Sequence, residues 1–255
     1  MLVSIEQGFV FIAAGKTATT SLTAAVLPHC TADRARLPFA IRLDAPARPA
    51  LEAIVNDEGR PITDPKTFQA LVQLYAAEDP FEIVFSNRES GYERRSTDLN
   101  DLRHVPLRDA RRLIGDAVWA RLFKFAFVRD PWDWVRSNYL FKRRPERFER
   151  MDVESVEWVR DNVSRRQLPV GYRTQHAFLA DDDETIALDF VGRFERLERD
   201  FAAIADRLGF DAKLDRLNST GAAKVVDSRA GYTDAGARRV AELWATDIAA
   251  FGYGG

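Results

Sequence analysis

A short stretch near the N-terminus carries residues whose types and order suit the binding of a charged group. The chain reads FVFIAAGKTATTSL from Phe9 to Leu22, an apolar run followed by Gly15, Lys16 and Thr17 and then by more hydroxyl residues. Backbone N–H groups at the start of a helix favour an anion, and a lysine beside them adds a full positive charge. The stretch therefore predicts a strand, a turn and a helix that together bind a phosphate-like group.

The same stretch differs from a nucleoside-triphosphate loop at its first position. That loop follows the pattern G-x-x-x-x-G-K-[ST], which requires a glycine at position 10, where this chain has Val10. A valine inside a strand does not permit the backbone wrap around a β-phosphate that the first glycine allows. We therefore expect a phosphate-like group to bind without the enclosure that a triphosphate needs. The alternative is an ordinary strand–turn–helix connection with an exposed lysine.

A second stretch, FAFVRDPWDWVRSNYL, places an arginine where a predicted strand ends. Arg129 follows FKFAFV, and Asp130 and Pro131 then begin a predicted helix that carries Ser137. An arginine at the carboxyl end of a parallel strand faces the ligand crevice, and its planar fork suits a phosphate. The hydroxyl of Ser137 can donate to the same anion. The alternative for Arg129 is a salt bridge to an acidic neighbour.

These two stretches need a sheet to position them, and the rest of the chain predicts one. Apolar runs indicate buried strands, and amphipathic patterns indicate helices between them. The predicted strands are 8–14, 81–86, 123–128 and 186–195, and the main predicted helices are 19–27, 107–122, 130–144, 196–210 and 234–253. This alternation predicts an α/β fold of three layers, with a mostly parallel sheet flanked by helices. Residues 31–80 hold six prolines and are predicted to form an irregular insertion with one or two helices, one of them over 67–78.

Composition restricts the class of protein. The chain has 255 residues, of which 46% are hydrophobic, so we expect one domain with a sizeable core. A net charge of −2 gives no overall field for nucleic acid, so a polyanionic ligand requires a local group of positive side chains. Cys30 is the single cysteine, which excludes an internal disulfide and a cysteine metal cluster. No apolar run reaches 18 residues, so we expect no transmembrane segment and a cytoplasmic location.

Both stretches resemble the donor-binding elements of sulfotransferases that use 3′-phosphoadenosine 5′-phosphosulfate (PAPS). FIAAGKTATTSL is similar to the 5′-phosphosulfate loop of that family, K-T-G-[GT]-T-S, and FVRDPWDWVRSNYL to its 3′-phosphate element, R-[ND]-P-[WY]-[DE]-R-x-x-S-x-Y. DFVGRFERLERDF, LNST and AAFGY are similar to later blocks of the carbohydrate-type branch and its bacterial relatives. The resemblance covers residues 8–28 and about 100–253, and 31–80 match nothing in it.

The resemblance implies a fold, an activity and a site. It implies a single domain over 1–255 with the P-loop-like sulfotransferase fold, in which 31–100 form an insertion for acceptor specificity. The implied reaction transfers a sulfuryl group from PAPS to a hydroxyl or amine of a small molecule or glycan, without a metal ion. Lys16 would stabilise the leaving phosphate. The implied donor-binding residues are Gly15, Lys16, Thr17, Ala18, Thr19, Thr20, Ser21, Arg129 and Ser137.

An acceptor hydroxyl needs a general base, and two residues are candidates. His104, in LRHVPLRD, begins the helix before the Arg129 strand, where related enzymes carry a histidine near the acceptor. An imidazole also has a suitable intrinsic pKa, and the alternative for His104 is a helix-cap or structural role. Glu89, in SNRES, is the rival. If the acceptor is an amine, it needs little help from a base.

Three positions depart from the family pattern, and two other functions compete with sulfotransfer. Ala18 replaces the usual loop glycine, Gly15 stands where proline is frequent, and Trp134 stands where an arginine is common. A small-molecule kinase or other NTP-using enzyme is disfavoured by the missing first glycine and by the lack of a clear aspartate for magnesium at a strand end. A non-catalytic nucleotide-binding relative is disfavoured by the presence of Lys16 and Arg129.

Overall fold

The computed structural model describes residues 1–30, 37–45, 48–52, 70, 81–143, 150–163, 172–211, 213–214 and 227–254. Within these ranges, eight strands form two four-stranded sheets. The strands are β1 (Leu2–Ser4), β2 (Phe9–Ile12), β3 (Phe39–Ala45), β4 (Arg48–Glu52), β5 (Glu82–Asn87), β6 (Glu93–Ser96), β7 (Phe123–Val128) and β8 (Phe190–Arg193). The first sheet has the order β1-β2-β7-β8 and the second β4-β3-β5-β6. Among these eight strands, only β2, β7 and β8 are parallel to one another, and the other strand pairs are antiparallel.

The α-helices of the described residues connect and cover these strands. They are α1 (Thr19–Val26), α2 (Leu107–Ile114), α3 (Asp116–Trp119), α4 (Pro131–Arg143), α5 (Val153–Asn162), α6 (Gln175–Leu179), α7 (Leu197–Leu208), α8 (Asp234–Leu243) and α9 (Ala245–Phe251). Helix α4 begins as predicted, because the carboxylate of Asp130 accepts hydrogen bonds from the backbone N–H groups of Trp132 and Asp133 at 3.0 and 3.2 Å.

The first sheet presents different side chains to its two faces. One face carries five phenylalanines, which pack on α1 and α7: Phe9, Phe11, Phe123, Phe125 and Phe127. The other face carries smaller residues, which share a core with α2, α4 and the second sheet: Val10, Ile12, Ala126 and Val128. This alternation is the two-residue period of a strand covered on both faces. Gly192 of β8 lies against Phe127, where an added Cβ would be 2.4 Å from the ring.

The predicted fold is confirmed in its coarser form, a mixed α/β fold with a parallel-containing sheet flanked by helices. The predicted strand over 81–86 is present as β5, but it belongs to the antiparallel second sheet. An apolar run indicates a buried strand but not whether its neighbours are parallel or antiparallel to it. The prediction of a mostly parallel sheet is wrong outside β2, β7 and β8. The three-layer P-loop-like arrangement and the single domain over 1–255 stay predictions.

The prolines of 31–80 predict an irregular region with helices, and this prediction is wrong where β3 and β4 occupy much of 39–52. The predicted helix over 67–78 lies outside the described residues, except for Ala70, which is helical. The predicted helices over 107–122 and 234–253 are each divided in two, at Gly115 and at Trp244 respectively.

Candidate anion-binding site

The loop of residues 13–18 joins β2 to α1. Four consecutive carbonyl groups of this loop are hydrogen-bonded within the protein. Each of these carbonyl oxygens accepts a hydrogen bond from a side chain. The pairs are His104 Nδ1 with Ala13 at 2.7 Å, Thr17 Oγ1 with Ala14 at 2.8 Å, Trp134 Nε1 with Gly15 at 2.8 Å, and Arg129 Nη1 with Lys16 at 3.2 Å. Three of the four donors lie on segments that follow residue 100, so the loop is held by distant parts of the chain.

These bonds determine which groups the loop can offer to a ligand. In a planar trans peptide the carbonyl and the next N–H point in opposite directions, so an inward carbonyl turns the following N–H outward. The amides of Gly15 and Lys16 follow two of the bound carbonyls, and no backbone acceptor in the described ranges is paired with them. The carbonyl oxygens of the loop, which would repel an anion, are thus bonded to donors of the protein, and the N–H groups of Gly15 and Lys16 are left for a ligand.

The loop backbone adopts the left-handed conformation at two residues that are not glycine. Lys16 has φ 66° and Ala18 has φ 63°, each of which costs on the order of 1 kcal/mol for a residue with a Cβ. Such residues within a turn gather consecutive N–H groups into a concave anion site. The positive φ of Ala18 also gives a physical reason for the glycine that resembling loops carry there. No side chain caps the N-terminus of α1, whose first turn contains Thr19, Thr20 and the buried Ser21.

Lys16 is a partly buried cation without a carboxylate partner among the described residues. Its Nζ lies 4.2 Å from the centroid of the Phe141 ring, on α4. Burial, with the charge of Arg129 as the second cause, lowers the pKa of Lys16 from 10.5 to about 8. A partly buried ammonium beside a second cation forms a site that a bound anion would stabilise.

Arg129 lies directly beside the loop, and the alternative salt bridge is also present. Its Nε and Nη2 atoms lie 2.8 and 2.7 Å from Oδ2 of Asp133, and its Nη1 donates to the Lys16 carbonyl. The guanidinium stacks on Phe194, with Cζ 3.9 Å from the ring centroid. A guanidinium has five N–H donors, so these three bonds leave two for a ligand. Asp133 and Phe194 therefore fix the fork without using all of its donors.

Ser137 lies on the face of α4 that adjoins the loop. Residues four apart on a helix share a face, and Asp133, Ser137 and Phe141 are spaced in this way. Asp133 binds Arg129, and Phe141 lies against Lys16, so Ser137 lies between two residues that contact the site. The structure thus brings together Lys16, Arg129 and the face of α4 that carries Ser137.

The two candidate bases lie in different surroundings. His104 is buried behind the loop, and since Nδ1 donates to the Ala13 carbonyl, Nε2 is the unprotonated nitrogen. Burial lowers the pKa of His104 to about 3. Glu89 is exposed in the turn between β5 and β6, where its backbone N–H donates to Asn87 Oδ1 at 2.8 Å. Of the two, only His104 contacts the loop.

The sequence did not identify two buried residues that support Arg129. The side chain of Gln175 bonds both the N–H and the C=O of Arg129, each at 2.8 Å. Asp247, fully buried, accepts from the backbone N–H groups of Gln175 and His176 at 3.0 and 2.7 Å. Burial raises the pKa of Asp247 to about 6. Because these partners are separated by 46 to 72 residues in sequence, no local pattern indicated them.

Two other kinds of feature are missing from the described ranges. No group of three or more His, Cys, Asp or Glu side chains there is arranged to hold a metal ion. No helix in the same ranges combines the length and the hydropathy that crossing a membrane requires.

Comparison with known proteins gives a family for most of the chain. The model of the Sulfotransferase family matches residues 66–254, which include His104, Arg129 and Ser137 but not the Lys16 loop. A protein of Archaeoglobus fulgidus described as "Uncharacterized protein" is 29% identical over 113 residues, which are 43% of this chain and 87% of that protein. No solved structure matches the chain significantly.

Proposed function

The chain belongs to the sulfotransferase family, and on that basis we propose that it transfers a sulfuryl group from PAPS to a hydroxyl or amine of a small molecule or glycan. The observation that supports PAPS as the sulfuryl donor is the hydrogen bonding of the loop of residues 13–18. Its carbonyl oxygens are bonded within the protein, and its amides lie beside Lys16 and Arg129. These hydrogen-bond donors suit an oxyanion, and they leave little room for a triphosphate chain.

The donor is bound, in this proposal, at two separate places. The 5′-phosphosulfate lies on the loop amides and the first turn of α1, near the ammonium of Lys16. The hydroxyl of Thr17 donates to the Ala14 carbonyl, so Thr17 contributes mainly its backbone N–H. The 3′-phosphate lies on the two remaining N–H groups of Arg129 and on the hydroxyl of Ser137. ATP has no 3′-phosphate, so the second place is what selects against ATP.

The chemical step is a displacement at sulfur. The acceptor oxygen or nitrogen attacks the sulfur atom as the bond from sulfur to the 5′-phosphate oxygen breaks, and that oxygen keeps the electron pair. Negative charge therefore grows on the leaving phosphate, where Lys16 and the loop amides stabilise it. As in phosphoryl transfer, positioning and charge stabilisation supply most of the rate enhancement.

The assignment of His104 as the general base stays a prediction, with Glu89 as the rival. An imidazole whose pKa is near 3 accepts a proton weakly at neutral pH, and the most effective bases have a pKa near the working pH. The contact from His104 to the Ala13 carbonyl instead favours a role in holding the loop. An amine acceptor, or a hydroxyl that loses its proton late, requires little from either base.

We assign the selection of the acceptor to the region of residues 31–100. In the described part of this region the second sheet shares a core with the Val10 and Ile12 face of the first sheet, opposite α1. Loops placed on such a scaffold commonly carry specificity. The chemical identity of the acceptor is a matter for a screen with labelled donor and mass spectrometry of the product.

The low pKa of Lys16 predicts how activity depends on pH. Lys16 must be protonated to stabilise the leaving phosphate, and in the free enzyme it loses its proton as pH rises through about 8. We therefore expect kcat/KM to fall above about pH 8. The anionic donor raises the pKa of Lys16 in the complex, so kcat should fall only at higher pH. In Lys16→Arg the residual activity should show no such decline, because a guanidinium stays charged. An unchanged decline in that variant would assign it to another group.

Thermal unfolding with ligands tests the proposed function. A ligand that binds only the native state stabilises it by RT ln(1 + [L]/Kd) and therefore raises Tm. We expect 3′-phosphoadenosine 5′-phosphate (PAP) to raise Tm, and ATP with magnesium to have little effect. A larger rise with ATP would favour the kinase alternative. A rise with PAP, but no product with labelled PAPS across an acceptor screen, would favour a non-catalytic relative.

A further inference from the structure

We propose that Trp134 is a positioning residue of the 5′-phosphosulfate loop, which it holds through one hydrogen bond from its indole N–H to the Gly15 carbonyl. This inference rests on the proposed function. Trp134 is fully buried on α4, and its Nε1 lies 2.8 Å from the Gly15 oxygen, across 119 residues of sequence. Because a buried carbonyl without a donor is costly, this bond favours one orientation of the Gly15–Lys16 peptide.

The Gly15–Lys16 peptide is the part of the loop where orientation matters most. Its carbonyl accepts from Trp134, and its N–H belongs to Lys16, the residue that carries the leaving-group charge in the proposed mechanism. If this peptide rotated, its oxygen would point toward the anion and its N–H away from it. Lys16 itself is held at φ 66°, which an isolated loop would tend to relax.

The loop sequence gives a reason why an external clamp is needed. Gly15 stands where resembling loops often have proline, and glycine leaves the backbone more freedom. Ala18, at φ 63°, has a Cβ where those loops have glycine. Both departures weaken the preference of the chain for the bound shape. The third departure, Trp134, lies against this same loop and supplies a bond from outside it.

The indole ring is itself firmly placed. It packs edge-to-face on the buried ring of Trp244, with centroids 6.2 Å apart and an interplanar angle of 61°. Trp134 also shares α4 with Asp133 and Phe141, which contact Arg129 and Lys16. The rigid helix thus sets the position of the loop relative to both proposed phosphate sites.

Trp134→Phe and Trp244→Phe form a matched pair for the test. Each change removes one indole N–H that donates to a backbone carbonyl, and each affects the same pair of buried rings. The difference is that Trp244 Nε1 donates to the Arg173 carbonyl at 3.2 Å, outside the loop. The affinities of adenosine 5′-phosphosulfate and adenosine 3′-phosphate are measured for each protein by displacement of labelled PAP.

We expect Trp134→Phe to lower the affinity for adenosine 5′-phosphosulfate about tenfold, as loss of one buried hydrogen bond typically does. Its affinity for adenosine 3′-phosphate should stay within about twofold of wild type. Trp244→Phe should change neither ligand beyond about twofold. Equal weakening of both ligands by Trp134→Phe, or no weakening, would overturn the inference. If wild-type protein shows no measurable affinity for PAP, the proposed function itself fails. This outcome is distinguishable from an equal loss of both affinities and from no loss, because in those two cases wild-type protein binds PAP.

A second measurement uses wild-type protein, so it does not depend on whether a variant folds. Indole N–H signals of wild-type protein are followed by nuclear magnetic resonance during hydrogen exchange, with and without PAP. PAP should slow the exchange of the Trp134 indole N–H, since it stabilises the loop to which this group is bonded, and should leave that of Trp244 nearly unchanged. An equal response of the two signals would contradict a specific link between Trp134 and the loop.

Discussion

Lys16→Ala should abolish turnover while the fold stays intact. Lys16 is the charged group beside the loop amides, where negative charge grows on the leaving phosphate. Loss of one preorganised donor in such a site typically lowers kcat about 100-fold or more. The substitution leaves a Cβ at φ 66°, so it does not release the backbone strain that a glycine would. It also removes a cation that burial disfavours, so the free energy of unfolding should not fall.

The measurement for Lys16→Ala is the formation of PAP and sulfated product from labelled PAPS, with an acceptor found by screening. Lys213→Ala is the control, because Lys213 is an exposed lysine remote in sequence from both donor-binding stretches. Thermal unfolding of both variants checks the fold. Turnover of Lys16→Ala within a few-fold of wild type would show that the leaving group is stabilised elsewhere.

Arg129→Ala should remove most of the affinity for the 3′-phosphate. The change leaves a phosphate dianion without its main charged partner, which typically costs about 2–5 kcal/mol in binding. The affinity of PAP should fall accordingly, by about 30-fold at the least. Adenosine 5′-phosphosulfate, which has no 3′-phosphate, should lose much less. The small loss that remains is expected from the hydrogen bond between Arg129 and the Lys16 carbonyl.

Calorimetry of both ligands with wild type and Arg129→Ala forms a double-mutant-style cycle for the 3′-phosphate contact. Arg136→Ala is the control variant, because Arg136 is the other cation paired with Asp133, at 3.0 Å, and it makes no described bond to the loop. A similar loss of affinity for PAP and adenosine 5′-phosphosulfate would mean that Arg129 acts through the loop rather than on the 3′-phosphate.

The parts of the fold that depend on neighbouring residues were predictable from the sequence. The strand FKFAFV matches β7, and the Asp130 cap and Pro131 place the start of α4 correctly. The order of residues from Gly15 to Ser21, with a lysine and several hydroxyl groups at a helix start, predicts an anion site, with an ordinary strand–turn–helix connection as the alternative, and the site stays a prediction. In each case the physical signal lies within a few residues of the feature it predicts.

The parts that depend on distant residues were not predictable in the same way. The sequence marked Trp134 as unusual but did not indicate its bond to Gly15, and nothing marked Gln175 or Asp247 as supports of Arg129. The antiparallel second sheet was missed because strand direction depends on chain topology rather than on apolar spacing. His104 was noted for its chemistry, whereas its surroundings are what lower its pKa.

The four bound carbonyls of the 13–18 loop have a consequence for folding kinetics. His104, Arg129 and Trp134 reach the loop only after the segments that follow residue 100 have docked on the N-terminal strand, and such long-range closures are slow steps. We therefore expect binding competence to be acquired late, with the completed tertiary structure. A ligand of this loop stabilises the native state without assisting earlier steps, so it slows unfolding and leaves the folding rate unchanged.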